Sequence, residues 1–109
     1  MIEYPKRTKE AEIQAKLWFQ LLGAGLDARL QVKADHSQLD IVVFKNKQAK
    51  AIIECKSWSQ SYLRNRKYQA YKNSKQLTKY QKLFNIPIFV CGCQPSIEPA
   101  IRFAIKCCS

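Results

Sequence analysis

Leu39-Asp40-Ile41-Val42-Val43-Phe44-Lys45, Asn46-Lys47-Gln48 and Ala49-Lys50-Ala51-Ile52-Ile53-Glu54-Cys55-Lys56 follow one another without interruption, and the fold turns on them. Two β-branched, largely apolar runs flank a short polar break, the pattern of a β-hairpin. The position numbers of directly opposed residues in antiparallel strands add up to a constant. A turn centred on Lys47 sets that constant at 94, so Asp40 faces Glu54. Opposed side chains on one face have Cβ atoms only about 4.5–5.5 Å apart. Two carboxylates placed so closely among Ile41, Val42, Ile52 and Ile53 repel unless a cation lies between them. A divalent metal is the simplest remedy, and oxygen ligands suit Mg²⁺ or Mn²⁺ rather than zinc. Lys56, two residues past Glu54, projects from the same face, whereas Cys55 points the other way but can still offer its backbone carbonyl.

Working outward, residues 8–22 read as an amphipathic helix. Ile13, Leu17 and Leu21, flanked by Trp18 and Leu22, give its apolar side, with Thr8 as N-cap and Gly23 and Gly25 at its end. Glu10 falls on that apolar stripe and Glu12 on the opposite side. Residues 27–34 suit a strand, and 60–84 a long basic helix or helical pair with a break at Asn73-Ser74. Residues 86–91 suit a further strand, and Ser96 is placed to N-cap a last helix carrying Ile97, Ile101, Ala104 and Ile105. The order αβββαβα implies an α/β fold, a mixed sheet covered on both faces in three α/β/α layers.

The 109 residues read as one domain over 1–109, without repeat or linker, and 47% hydrophobic residues suffice for a packed core. No apolar run approaches the roughly 20 residues that cross a bilayer, and the start lacks a secretion signal, so a soluble, intracellular, cytoplasmic protein is expected, with no membrane partner. The five cysteines make no CxxC pair and read as free thiols in a reducing compartment. A metal or iron–sulfur cluster on Cys91, Cys93, Cys107 and Cys108 is the alternative, and adjacent Cys107 and Cys108 point to different sides of a helix.

The net charge is +11, and from Cys55 to Ile97 there is no acidic residue. Lys56, Arg64, Arg66, Lys67, Lys72, Lys75, Lys79 and Lys82 lie in that span, interleaved with Trp58, Tyr62, Tyr68, Tyr71 and Tyr80. Cations neutralise phosphates and aromatic faces stack on bases, which points to nucleic acid. RNA, DNA or an anionic membrane surface would satisfy such a patch equally, and a solvated helical face would show the same lysines.

Asp40, thirteen intervening residues, then Glu54-Cys55-Lys56 resembles the PD-(D/E)xK signature of the restriction-endonuclease-like nucleases, with Leu39 where the proline would stand. The likeness runs over nearly the whole chain, from Glu10 on the first helix to the closing helix. It is strongest to the small stand-alone branches, such as Holliday junction resolvases and virus-type replication-repair nuclease modules. Gln76-Leu77-Thr78-Lys79-Tyr80 is similar to the QxxxY element of several branches, with Gln76 and Tyr80 on one helix face. No cysteine precedes the hairpin as the iron–sulfur members would require.

The resemblance implies a Mg²⁺-dependent endonuclease acting on DNA. Asp40, Glu54 and the Cys55 carbonyl would hold the metal, with Glu10 contributing directly or through water. Lys56 and Gln76 would complete the catalytic set, and Lys56, Arg64, Arg66, Lys67, Lys72, Lys75, Lys79 and Tyr80 would contact DNA. Cutting both strands of a duplex requires two sites, so a C2 homodimer is a hypothesis. Other readings stand beside this one: a catalytically silent nucleic-acid-binding module, or a nuclease subunit of a larger complex. Locally, Asp40 and Lys56 could form a plain cross-strand ion pair, Glu10 a helix N-terminal charge, Gln76 and Tyr80 a packed pair, and His36 an ordinary loop residue.

Overall fold

The computed structural model describes residues 1–5, 8–34, 37–56, 78–79, 82–92 and 96–109. Helix α1 (Lys9–Gly23) leads into strands β1 (Asp27–Ala34), β2 (Ser37–Lys45) and β3 (Gln48–Cys55), followed by β4 (Ile88–Cys91) and helix α2 (Ile97–Cys108). The strands lie in the order β1-β2-β3-β4. The first three are antiparallel, and β4 runs parallel to β3. This is a mixed α/β fold.

Sequence chemistry accounts for both ends of α1. The Thr8 hydroxyl accepts the Ala11 amide at 3.1 Å, satisfying an orphan donor of the first turn. At the other end the Leu26 amide reaches back to the Leu21 carbonyl and the Gly25 amide to that of Leu22. Gly25 supplies the φ of +82° that this Schellman closure demands. Leu17 and Leu21 are fully buried, and the Trp18 indole donates to the Ala28 carbonyl at 2.9 Å. Leu22, expected on the apolar side, is 41% exposed instead, because the sheet lies under the stripe through Leu17 and Leu21.

Both helices cover one face of the sheet, where Ile41, Val43, Ala51, Ile53, Cys55 and Cys91 meet Leu17, Leu21, Ile97, Ala100 and Ala104. Phe89 of β4 and Phe103 of α2 pack with ring centroids 5.3 Å apart. On the other face Leu39, Val42 and Ile52 form a second cluster with Phe84 and Ile86 against it. The helix expected over 60–84 falls mostly outside the described residues, although 78–79 and 82–84 are helical.

Ser96 stands at the expected N-cap position of α2, although its backbone angles are helical and its side chain makes no capping bond. One expectation for α2 is corrected: Ile105 is 46% exposed while Ala100 takes a core position. The helix instead packs on its Ile97, Ala100, Ala104 side, with small residues allowing close approach to the sheet. Its last turn is held by the Lys45 ammonium, which donates to the Cys108 carbonyl at 2.6 Å.

The central hairpin is built differently from the three-residue break read in the sequence. Lys45 pairs with Gln48, leaving a two-residue turn of Asn46 and Lys47 with φ of 54° and 64°. Positive φ at both central residues is the type I′ requirement, which matches the right-handed twist of the strands. Asn adopts this conformation readily, whereas Lys does so at a steric cost. Lys47→Gly should therefore stabilise the protein by about 1 kcal/mol, read as a rise in the urea midpoint at constant slope.

A turn of this length would set the constant at 93 and oppose Asp40 to Ile53. A register shift between Val43 and Phe44 corrects it. Lys50 is the extra residue, and beyond it Val43↔Ala51, Val42↔Ile52 and Ile41↔Ile53 follow the constant of 94. The bulge thus delivers both acids to adjoining positions at the end of the β2–β3 ladder.

Candidate active site

Asp40 and Glu54 follow the last paired residues, Ile41 and Ile53, where side chains take over the hydrogen bonding. The Cys55 amide donates to Asp40 Oδ2 at 2.9 Å, and the Asp40 amide donates to Glu54 Oε1 at 3.5 Å. Each carboxylate is thereby oriented by main chain of the other strand. The carbonyl of an extended residue leaves the strand on the same edge as its amide, so the Cys55 carbonyl is directed to the Asp40 side too.

Glu54 is 3% exposed and is the one charged residue buried among the described residues. Burial pushes its carboxyl up to about 7, and the Asp40 charge and a carboxyl–carboxyl hydrogen bond push the same way. The hydrogen bond from the Asp40 amide opposes them, and the ammonium of Lys56 does so less. Lys56 is anchored through its own amide, which donates to the Cys91 carbonyl at 2.9 Å. The Cys55 thiol is driven upward chiefly by burial, then by Cys91, Asp40, Glu54 and Glu10. It therefore stays protonated at neutral pH, and what Cys55 can offer a cation is its main-chain oxygen.

Glu10 lies half-buried in the first turn of α1, close enough for its charge to act on Cys55. Gln14, one helical turn later, donates through Nε2 to the Asp40 carbonyl at 3.4 Å. Sequence reasoning passed over Gln14, although its signal was present: four residues after Glu10 and three before Leu17, it sits on the same sheet-facing stripe. Among the described residues no three His, Cys, Asp or Glu side chains cluster as a metal site. The structure joins Asp40 with Glu54 as a pair, with the Lys56 charge acting on Glu54 and the Glu10 charge reaching Cys55.

The donor set fits a hard divalent cation. It offers two carboxylates and a carbonyl, all oxygen, and Mg²⁺ is commonly held through one or two carboxylates while keeping several waters. Four described cysteines, Cys55, Cys91, Cys107 and Cys108, are thiols rather than disulfides.

Of the expected nucleic-acid contacts, Lys56 is half-buried beside the pair and Lys79 is exposed. Arg64, Arg66, Lys67, Lys72, Lys75, Gln76 and Tyr80 lie outside the described residues, as do His36 and Cys93. No helix among the described residues is long and apolar enough to cross a membrane. No family model matches the chain, and no curated protein or solved structure matches it either.

Proposed function

We propose that this protein is a metal-dependent endonuclease that hydrolyses DNA phosphodiester bonds at the Asp40–Glu54 pair. The observation that carries the reading is a buried Glu54 held against Asp40, each carboxylate oriented by a main-chain amide of the other's strand. Holding a buried carboxylate against a half-buried one is unfavourable unless a proton or a cation is bound there, and a cation fills that role above pH 7. The lysine-rich, acid-free stretch that follows Glu54 in the sequence carries the positive charge that attracts a polyanion.

In this reading Asp40, Glu54 and the Cys55 carbonyl would hold Mg²⁺ or Mn²⁺, with Glu10 contributing directly or through water. The bound cation makes a water more acidic and neutralises charge on the scissile phosphate. Lys56 adds a positive charge on the Glu54 side, where it offsets negative charge growing on the phosphate. The amide donors keep both carboxylates from swinging away. Gln76 and Tyr80 belong to this proposal through the motif alone.

Incubating plasmid with the protein in Mg²⁺ and in EDTA tests the reading. Nicking is expected in Mg²⁺, none in EDTA, and a loss of about 10³-fold in Asp40→Ala, the scale of several kcal/mol of transition-state charge stabilisation. Cleavage by Asp40→Ala at the wild-type rate would overturn the site. Binding in EDTA without cleavage in Mg²⁺ would favour the silent binding module. Lys79→Ala should lower the slope of log affinity against log salt by about one, measured by fluorescence anisotropy on labelled duplex in EDTA.

A further inference from the structure

The β1–β2 ladder keeps one register from Asp27↔Phe44 to Ala34↔Ser37, yet the pair that register would make between Gln31 and Asp40 is missing. Gln31 has φ of 51°, a left-handed conformation that a residue bearing Cβ enters against steric resistance. The strands also exchange faces at this step. Ala28 belongs to the cluster under the helices and Val32 to the opposite one, although four residues apart they would share a face in a regular strand. Ile41 and Leu39, two apart, are divided in the same way. Both strands therefore roll over together at the step holding Asp40.

The roll frees the peptide groups of Asp40 from β1. A regular ladder would have Asp40 and Gln31 exchange amide and carbonyl bonds. Instead the Asp40 amide turns to Glu54 Oε1 and its carbonyl receives Gln14 Nε2. Gln14 is well suited to hold that carbonyl. Its helix is anchored by Leu17 and Leu21, it reaches the oxygen with a donor, and it is neutral, so it leaves the charge of the acid pair uncompensated. Strain at a residue directly opposite a candidate catalytic acid is the pattern in which backbone conformation serves function.

We propose that Gln14 and Gln31 are positioning residues. The left-handed Gln31 withdraws β1 from Asp40, and Gln14 holds the Asp40 carbonyl in its turned orientation, so that the Asp40 amide fixes the Glu54 carboxylate for cation binding. This rests on the reading of Asp40 and Glu54 as a divalent-cation site. Gln14 and Gln31 make no contact with the cation and act through the geometry of Asp40.

The test titrates Mn²⁺ into the full chain without DNA, following free Mn²⁺ by electron paramagnetic resonance, with thermal midpoints recorded alongside. Gln14→Met keeps the length and removes the donor. Gln31→Val disfavours the left-handed conformation, while Gln31→Gly welcomes it. Gln14→Met and Gln31→Val should weaken Mn²⁺ binding by about tenfold or more, the scale typical of groups that orient metal ligands. Gln31→Gly should bind Mn²⁺ as the wild type does, and the Gln14→Met midpoint should stay within about 3 °C. Wild-type affinity in both Gln14→Met and Gln31→Val, with Asp40→Ala unable to bind, would overturn the positioning roles and leave the site standing. Wild-type affinity in Asp40→Ala would overturn the cation site and this inference with it. Because Gln31 is exposed, the Gly and Val variants can be compared at one position even if Gln14→Met folds poorly.

Discussion

Glu54→Gln is expected to reduce Mg²⁺-dependent cleavage by about 10³-fold or more while making the cation-free protein more stable above pH 7. Both effects have one origin. The folded protein holds the Glu54 proton up to about pH 7, against an ordinary value of 4.5. Between those values the folded state binds a proton that the unfolded chain has released, so stability falls as pH rises. The contribution is fully present below 4.5 and is lost as pH passes through 7. For a side chain 3% exposed, that interval corresponds to about 3 kcal/mol. Gln has the shape of Glu and no such titration. Thermal midpoints of wild type and Glu54→Gln at pH 5, 6, 7 and 8 should converge in acid and separate progressively toward pH 8, with the variant higher. Adding Mg²⁺ at pH 8 should raise the wild-type midpoint and leave that of Glu54→Gln unchanged. Parallel pH profiles for the two proteins would show that Glu54 is not a strained acid.

Ile53→Ala is expected to destabilise the protein by about 2–5 kcal/mol. Ile53 is fully buried on the central strand β3, beneath both helices, and its register partner Ile41 adjoins Asp40. Removing its methyl groups leaves a cavity in a layer closed by β2 and β4 at the sides, where relaxation is limited. A domain of this size has about 5–15 kcal/mol in all, so the loss should appear as a large drop in the urea midpoint. Ile105→Ala is the control. The sequence pattern places Ile105 in the core, but it is 46% exposed, and its replacement should change stability by less than about 0.5 kcal/mol. Equal effects at the two positions would mean that α2 docks by a different face.

The elements with strong periodicity were legible from residues alone. β1 occupies the expected 27–34, and the apolar stripe of α1 through Leu17 and Leu21 faces the sheet as its spacing predicts. The opposition of Asp40 to Glu54 was legible too, though for the wrong reason. The three-residue break gave the constant 94 at once, whereas the molecule reaches it through a two-residue turn and the bulge at Lys50. A bulge residue needs no unusual backbone chemistry, so Ala49-Lys50-Ala51 carries no sign of it. Gln31 was equally silent, because a left-handed residue in a strand is normally announced by Gly or Asn. Ser96 takes the N-cap position its composition suggests, but its own helical angles keep its side chain from making a capping bond.

Side-chain alternation has a period of two, so the hairpin behaves as a parity code: one residue more or fewer sends every following side chain to the opposite surface. The Lys50 bulge is a half-step inserted into that code. Its presence means that hairpin length and acid placement are separately adjustable, and that an odd change in length on one strand is survivable when a second odd change accompanies it. Deleting Lys50 removes the half-step itself, so a regular two-residue hairpin would still oppose Ile41 to Ile53 and Asp40 to Glu54.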